Sequence, residues 1–367
     1  MKIVYILKKG FQCYPPCLAQ LLYLNDLGVE LEVYHGENSE AVNNILQERG
    51  IKHYTLQSDR KNTNRIGSIV TMLKYMREIS KIIKKVDNDT LLWFGNCESF
   101  ITITKLLKNR KYVLSVLELD DYDSLYGKNI RKVIHSAKAV LCCEKHRAAI
   151  MKVYYGLDKE PYVLPNKPYE LKNEEAERCV LPLETQEKIE RLQDKFIVLY
   201  QGIITPDRPL DKIAKALSNI GDENIVFTIM GQASEEYKKE LSLYYNHIEF
   251  MGYIPSPQHL EVTKIANVGI ANYDYSCLNN LFCAPNKIYE YAKFGLPMLT
   301  SQNIGLTETV GRFGAAECVD FNDVKQIEIG IKKIKDNYNS YVNNAYKFYN
   351  HTDNFETIKT IIEGIAE

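Results

Sequence analysis

Short apolar runs, each followed by a stretch with helical spacing, recur down this chain, and that alternation leaves few folds open. KIVYIL reads as a buried strand, and residues 16–28 carry apolar helical spacing that stops at Gly28. VELEVYHG alternates with period two, AVNNILQERG is a helix ending at Gly50, and KHYTL is a strand. A long amphipathic helix spans 66–86, followed by strand TLLWFGN, helix ESFITITKLLKN and strand YVLSVLEL. SAKAVLCCEKHRAAIMKVYYG fits strand then helix, and PYVLPNKP is a strand with a Pro-rich exit. Repeated strand–helix units imply a parallel sheet with helices on both faces.

The pattern breaks over 168–194, which is charged, carries Pro168 and Pro182 and shows no strand. It reads as an interdomain connection. The second half restarts with FIVLYQG, then the helix LDKIAKALSNIG, strand IVFTIMG, helix SEEYKKELSLYYN, strand IEFMGYIP, helix SPQHLEVTKIA and strand VGIANY. CAPNKIYEYAKFGLPMLTS, AAECVDF and a helix over 324–338 follow, and the tail is one more amphipathic helix. A chain of 367 residues is too long for one ordinary core. The expected fold is α/β with two doubly wound, Rossmann-like domains facing a cleft. The boundaries are 1–167, the connection 168–194, a second domain over 195–350, and a C-terminal helix over 351–367 packing back on the first domain. Ligands of such sheets bind at the carboxyl ends of strands. The loops to inspect are therefore GFQCYPP, YQGIITPDRP, MGQAS, MGYIPSP and LFCAPNK.

Charge is uneven. Residues 1–167 hold 26 Lys+Arg against 18 Asp+Glu, a balance of +8, and the rest hold 20 against 29, a balance of −9. A basic first half suits an anionic partner, either a lipid surface or a phosphate-bearing acceptor, or reflects solvated faces alone. Helix 65–86 carries Lys74, Arg77, Lys81, Lys84 and Lys85 on one face and Val70, Leu73, Met76 and Ile83 on another. That pattern fits an anionic membrane surface or an ordinary sheet-packing helix. Nine cysteines lack any metal-ligand spacing and read as reduced thiols. The apolar run at the start is too short for a signal segment, and no stretch approaches a membrane span. The expectation is a cytoplasmic protein, peripheral on the inner membrane face at most, with no nucleic-acid partner and no metal.

The segment 283–301 carries the sharpest chemistry. Pro285 suits a first helical turn, Gly295 suits the helix end, and Pro297 prevents resumption. Asn286, Lys287 and Glu290 share one face at the helix start. A helix start with a lysine is an anion site, and a carboxylate one turn deeper suits a diol such as ribose. Arg208 precedes a helix after Tyr-Gln-Gly and could grip a diphosphate, or is a surface arginine. Gly202 and Gly231 mark strand-to-helix turns; the backbone of Tyr253 and Ile254 could face a flat base, or simply end a strand. Gly10 lets a group approach the backbone beside Phe11, or is a simple turn. Glu118, in the acidic run VLELDDYD, is a candidate general base or sugar-hydroxyl contact, or part of a solvated loop.

YQGIITPDRPL, FTIMGQAS, FMGYIP and above all APNKIYEYAKFGLPMLTSQNIGLTETV resemble the retaining glycosyltransferases of family 4, which have the GT-B fold. The last stretch resembles the variant with Pro-Asn-Lys before the helix, then a Gly-x-Pro turn and a Gly-Leu-x-Glu loop. AKAVLCCEKHRAAI and VLPNKP resemble the end of that family's first domain, and the match is dense over 196–310. The resemblance implies that Glu290 binds ribose. It puts Asn286 and Lys287 at the diphosphate and Arg208 at the basic position before the helix. Gly305, Leu306 and Glu308 then form a further loop of the site. Three positions depart from the pattern: Phe282 stands for the first paired glutamate, Ile203 for a basic residue, and Leu117 for a histidine before Glu118.

The function implied is transfer of a sugar from a nucleoside-diphosphate sugar to an acceptor hydroxyl, with retention, in polysaccharide or glycoconjugate synthesis. Arg208, Lys287 and Glu118 are its catalytic candidates, and the acceptor is a carbohydrate or lipid-linked molecule on the side of Gly10 and Phe11. The donor sugar is then a substrate, and no cofactor is needed. The alternatives are a nucleotide-sugar 2-epimerase of the same fold and a non-catalytic nucleotide-sugar-binding protein. A nicotinamide dehydrogenase is disfavoured because no G-x-G-x-x-G follows a strand.

Overall fold

A computed structural model describes residues 1–57, 65–171, 181–204 and 208–366. The chain forms two units, Met1–Glu175 with Asp353–Glu367, and Ala176–Thr352. The first is built on seven strands: β1 (Lys2–Leu7), β2 (Glu30–His35), β3 (Lys52–Thr55), β4 (Leu91–Phe94), β5 (Tyr112–Ser115), β6 (Ala139–Cys142) and β7 (Tyr162–Val163). Their order is β3-β2-β1-β4-β5-β6-β7, and every pairing is parallel. Residues 3–7 of β1 and all of β4, β5 and β6 are buried, as strands covered on both faces must be. Gly28 and Gly50 end their helices at φ +70 and +64, the left-handed conformation that favours glycine there. Trp93 of β4 is fully buried, and its indole N–H donates to Gln20 at 3.1 Å.

Four readings of this half need correction. ESFITITKLLKN is not one helix. Cys97–Phe100 and Thr104–Leu107 are separate short turns, because the β-branched residues Ile101, Thr102 and Ile103 between them resist helix. Strand YVLSVLEL shortens to β5, and PYVLPNKP to two residues. The helix Arg65–Lys85 buries Tyr75, Ile79 and Ile83, while Val70 and Leu73 are exposed alongside Lys74, Arg77 and Lys81. Burial of Tyr75 carries that stripe round the helix, since its hydroxyl donates to Ser99 O at 2.6 Å.

The helix Asn354–Ala366 belongs to the first unit: Ile358 and Ile361 pack in the cluster that holds Leu21 and Leu22. Asn354 Nδ2 donates to Pro165 O at 2.8 Å. Within 168–194, residues Leu183–Leu192 form a helix, with Leu192 in the core of the second unit.

The second unit has six parallel strands in the order β10-β9-β8-β11-β12-β13. These are β8 (Phe196–Gln201), β9 (Ile225–Met230), β10 (Ile248–Gly252), β11 (Val268–Ala271), β12 (Met298–Ser301) and β13 (Ala316–Val319). The chain runs outward from β8 to β10, then returns to add β11 on the other side of β8. The strand order therefore reverses between β8 and β11, where sheets of this kind open a crevice at the carboxyl ends. Gln201 and Gly202 lie at the end of β8, Asn272 and Tyr273 just beyond β11.

Candidate functional site

The helix Asn286–Lys293 starts at Pro285, whose extended backbone (φ −70, ψ 144) makes it the cap rather than the first helical residue. No side chain among the described residues caps this start and its first turn holds no acid, which leaves its N–H dipoles to any incoming anion. Gly295 follows the helix at φ +68, as its place before Leu-Pro predicts. The helix is seated on the sheet by Tyr291, whose ring occupies the space a Cβ on Gly269 would need. The Tyr291 hydroxyl donates to Ile270 O at 3.1 Å.

Lys287 points inward from the first turn. It is 7% exposed, and its Nζ has no hydrogen-bond partner among the described residues. Its neighbours are aromatic faces and a like charge. Nζ lies 4.6 Å from the Tyr200 ring centre and 5.5 Å from that of Tyr273. The Arg208 guanidinium stacks on the other contact of this group, 4.6 Å from the Tyr273 centre. Burial, then the Arg208 charge, push the Lys287 ammonium down to about 7, against the pull of Glu290. A Cβ on Gly202 would come within 3.3 Å of Nζ, so the glycine leaves this amine its room. Gly202 has φ +133, and its carbonyl sits where a Cβ on Gly231 would stand, so the two turns abut. Ile203 is 69% exposed and brings no charge to this place.

Glu290, one turn deeper, is 6% exposed and held from two sides. Gln201 Nε2 donates to its Oε2, and His259 Nε2 lies 3.3 Å from its Oε1. Thr263 Oγ1 in turn donates to Gln201 Oε1 at 2.7 Å. His259 caps, and Thr263 lies in, the short helix Leu260–Lys264. The sequence reading missed Gln201, His259, Thr263, Tyr200 and Tyr273. Gln201 stands inside the Tyr-Gln-Gly strand end and His259 just after MGYIPSP, and that placement was the one available signal.

The structure thus brings together Gly202, Arg208, Gly231, Lys287 and Glu290, with Asn286 at the helix start. Ile254 is buried, whereas Tyr253 is 70% exposed. Gly305 has no room for a Cβ, which would meet Cys283 O, and Leu306 is buried. The sequence reads as a loop here, yet Ile304–Leu306 and Thr307–Gly311 are helical turns. Glu308 faces Arg312 at 3.8 Å on the exposed side. Phe282 stands at the end of the turn Leu278–Leu281.

Glu118, Gly10 and Phe11 belong to the first unit. Glu118 is exposed beyond β5. Burial, then Glu118 and Asp121, raise the carboxyl of Asp120 beside it. Leu117 is buried, and its carbonyl accepts from Arg147 at 2.5 Å. A Cβ on Gly10 would collide with Glu37 O. The Phe11 ring is core, packed near Tyr5 and His35, and its N–H donates to Asn38 at 2.9 Å. No helix among the described residues is long and apolar enough to cross a membrane.

Comparison with known proteins follows the same outline. Residues 183–350 match the family model for glycosyl transferases group 1, and no curated protein matches the chain. Sucrose-phosphate synthase from Thermosynechococcus elongatus superposes at TM-score 0.72 with 15% identity, over 100% of this chain and 98% of that one. Anabaena HepE, solved with UDP and glucose, superposes at 0.68 with 14% identity and the same coverage. A Listeria monocytogenes structure provisionally assigned as a UDP-N-acetylglucosamine 2-epimerase reaches 0.69 at 12% identity, over 99% and 95%. Likeness at these identities establishes the fold: two Rossmann-like units of the GT-B kind, the second of which carries the match to group 1 glycosyl transferases.

Proposed function

We propose that the protein is a glycosyltransferase of the retaining family 4 kind. It moves a hexosyl group from UDP-sugar to an acceptor hydroxyl in polysaccharide or glycoconjugate synthesis. The observation that carries this reading is Lys287, a buried amine with no hydrogen-bond partner among the described residues, at an uncapped helix start beside Arg208. A diphosphate supplies the charge this place lacks. In the reaction the bond from the anomeric carbon to the β-phosphate oxygen breaks and a bond to the acceptor oxygen forms. The acceptor's proton leaves to the departing UDP or solvent. Negative charge grows on the diphosphate, and Lys287, Arg208 and the N–H groups of the first turn offset it, the preorganised electrostatic stabilisation that lowers such barriers. Lys287, Arg208 and the helix-start dipole supply this stabilisation from protein alone, so a metal is not required by the scheme. Glu290 takes the ribose diol. Gly305, Leu306 and Glu308 border the donor, and the backbone at Tyr253 and Ile254 borders the base. Glu118, with Gly10 and Phe11, serves the acceptor side in the first unit.

The acceptor is a carbohydrate or a lipid-linked saccharide. The exposed Lys74, Arg77 and Lys81, with Val70 and Leu73 beside them, support peripheral contact with an anionic membrane at the cytoplasmic face. Charge reversal at the three cations should abolish sedimentation with anionic liposomes; unchanged sedimentation rejects the contact. The transfer itself is tested by incubating the protein with UDP-glucose and UDP-N-acetylglucosamine, with and without a saccharide acceptor pool, and following UDP release. Acceptor-dependent release supports transfer. A second reading, 2-epimerisation, is favoured by the paired His259 and Glu290, a histidine–carboxylate set. Conversion of the donor sugar with no acceptor and no UDP release would establish it instead.

A further inference from the structure

Glu290 is not a free carboxylate waiting for a diol. Both of its oxygens are engaged, by Gln201 from the end of β8 and by His259 from the start of the helix Leu260–Lys264. Gln201 is itself held by Thr263 from that same helix, at 2.7 Å. Gln201, Thr263 and Glu290 are all nine-tenths or more buried. The contact to Glu290 is the imidazole's polar contact among the described residues, for its Nδ1 has no partner there.

This arrangement leaves work for the carboxylate. An ionised carboxylate has about four lone-pair sites; the Gln201 hydrogen bond uses one of them, and the His259 ring nitrogen stands 3.3 Å from the other oxygen. A glutamate held this way cannot rotate to meet a ligand; its remaining acceptor sites keep one direction. A recognition group fixed by packed neighbours loses little freedom on binding, which sharpens selection. We propose that Gln201 and His259 are positioning residues that lock Glu290 to read the 2′ and 3′ hydroxyls of the donor's ribose, and so set selection for ribonucleotides. The inference rests on the donor reading given above and adds the residues that make the sugar contact selective. His259 acts through Glu290.

The test compares UDP, its 2′,3′-dideoxy analogue and inorganic pyrophosphate, titrated into wild type, His259→Ala, His259→Gln and Gln201→Leu. Hydrogen bonds to a charged group make wild-type binding of UDP ~10- to 100-fold tighter than the dideoxy analogue. In His259→Ala and in Gln201→Leu that ratio should fall at least several-fold towards one, while pyrophosphate affinity stays within about twofold, since Lys287, Arg208 and the helix start are untouched. His259→Gln, which keeps a donor, should restore part of the ratio. Pyrophosphate binding also reports that each variant is folded. A full wild-type ratio in both His259→Ala and Gln201→Leu overturns the proposal, and so does a wild-type ratio of one with pyrophosphate bound. Failure of the wild type to bind either UDP or pyrophosphate overturns the donor reading itself, and this inference with it.

Discussion

A buried ammonium with no hydrogen-bond partner among the described residues, set between tyrosine rings and a second cation with Glu290 as its counter-charge, costs stability, because its lost hydration is repaid only in part. Replacing Lys287 by Met should therefore hold or raise the melting temperature while weakening UDP by ~10- to 100-fold, the value of a charge-assisted contact. Calorimetric melting and titration read the two effects apart, and a fall in both would mean that the amine is structural. Acidity gives an independent handle. Burial and the Arg208 charge push the Lys287 ammonium down to about 7, and phosphate oxygens beside it would raise that value. A group whose value rises on binding takes up a proton, so affinity should fall as pH climbs above about 7. Calorimetry in two buffers of different ionisation heat should register that uptake in wild type and not in Lys287→Met. The place of Lys287 was legible, since a lysine after Pro-Asn reads as standing in the first turn of a helix. Gln201 was not, because its bond to Glu290 spans 89 residues, and only the finished sheet brings the two together.

At the scale of elements, the Asn286–Lys293 helix was legible at both ends from Pro285, Gly295 and Pro297. How it is seated was not. Gly269 sits within the apolar strand VGIA, where a glycine reads as incidental, yet a Cβ there would lie 2.4 Å from the Tyr291 ring. Gly269→Ala should destabilise the second unit by ~1–3 kcal/mol, the range for overpacking a core. Chemical denaturation would show it as a lowered midpoint. It should also weaken UDP, because the shifted ring belongs to the residue next to Glu290; an unchanged midpoint would show that the ring yields freely. The stretches misread elsewhere share a cause. ESFITITKLLKN has helical apolar spacing, but the β-branched Ile101, Thr102 and Ile103 disfavour helix within it. The residues after Gln302 look like loop because Gly305 interrupts them, yet Gly305 serves close packing on Cys283 inside a helical turn.

Across the whole molecule the alternation of strand and helix was enough to read two parallel sheets, since each βα step forces the next strand to run the same way. The order of strands, with reversals at β1/β4 and β8/β11, follows from packing that no local run encodes. The same holds for the C-terminal helix, whose Ile358 and Ile361 finish the core of the first unit. Deleting residues from 353 onward should strip that core of two buried isoleucines at ~1.5–3 kcal/mol each. Limited proteolysis should then cut within 1–171 sooner than within 181–352, and equal rates would contradict this. The proposed transfer requires first of all that the second unit bind a nucleoside diphosphate at the Asn286–Lys293 helix start. The most direct measurement is a thermal-shift panel of UDP, GDP, ADP, CDP and dTDP on wild type, Lys287→Met and Glu290→Ala. At ~100-fold excess over its dissociation constant a bound nucleotide adds ~2.7 kcal/mol of stability. UDP should give a clear shift in wild type that shrinks in both variants. No shift with any nucleotide, or a shift undiminished in Lys287→Met, would contradict binding at that helix start.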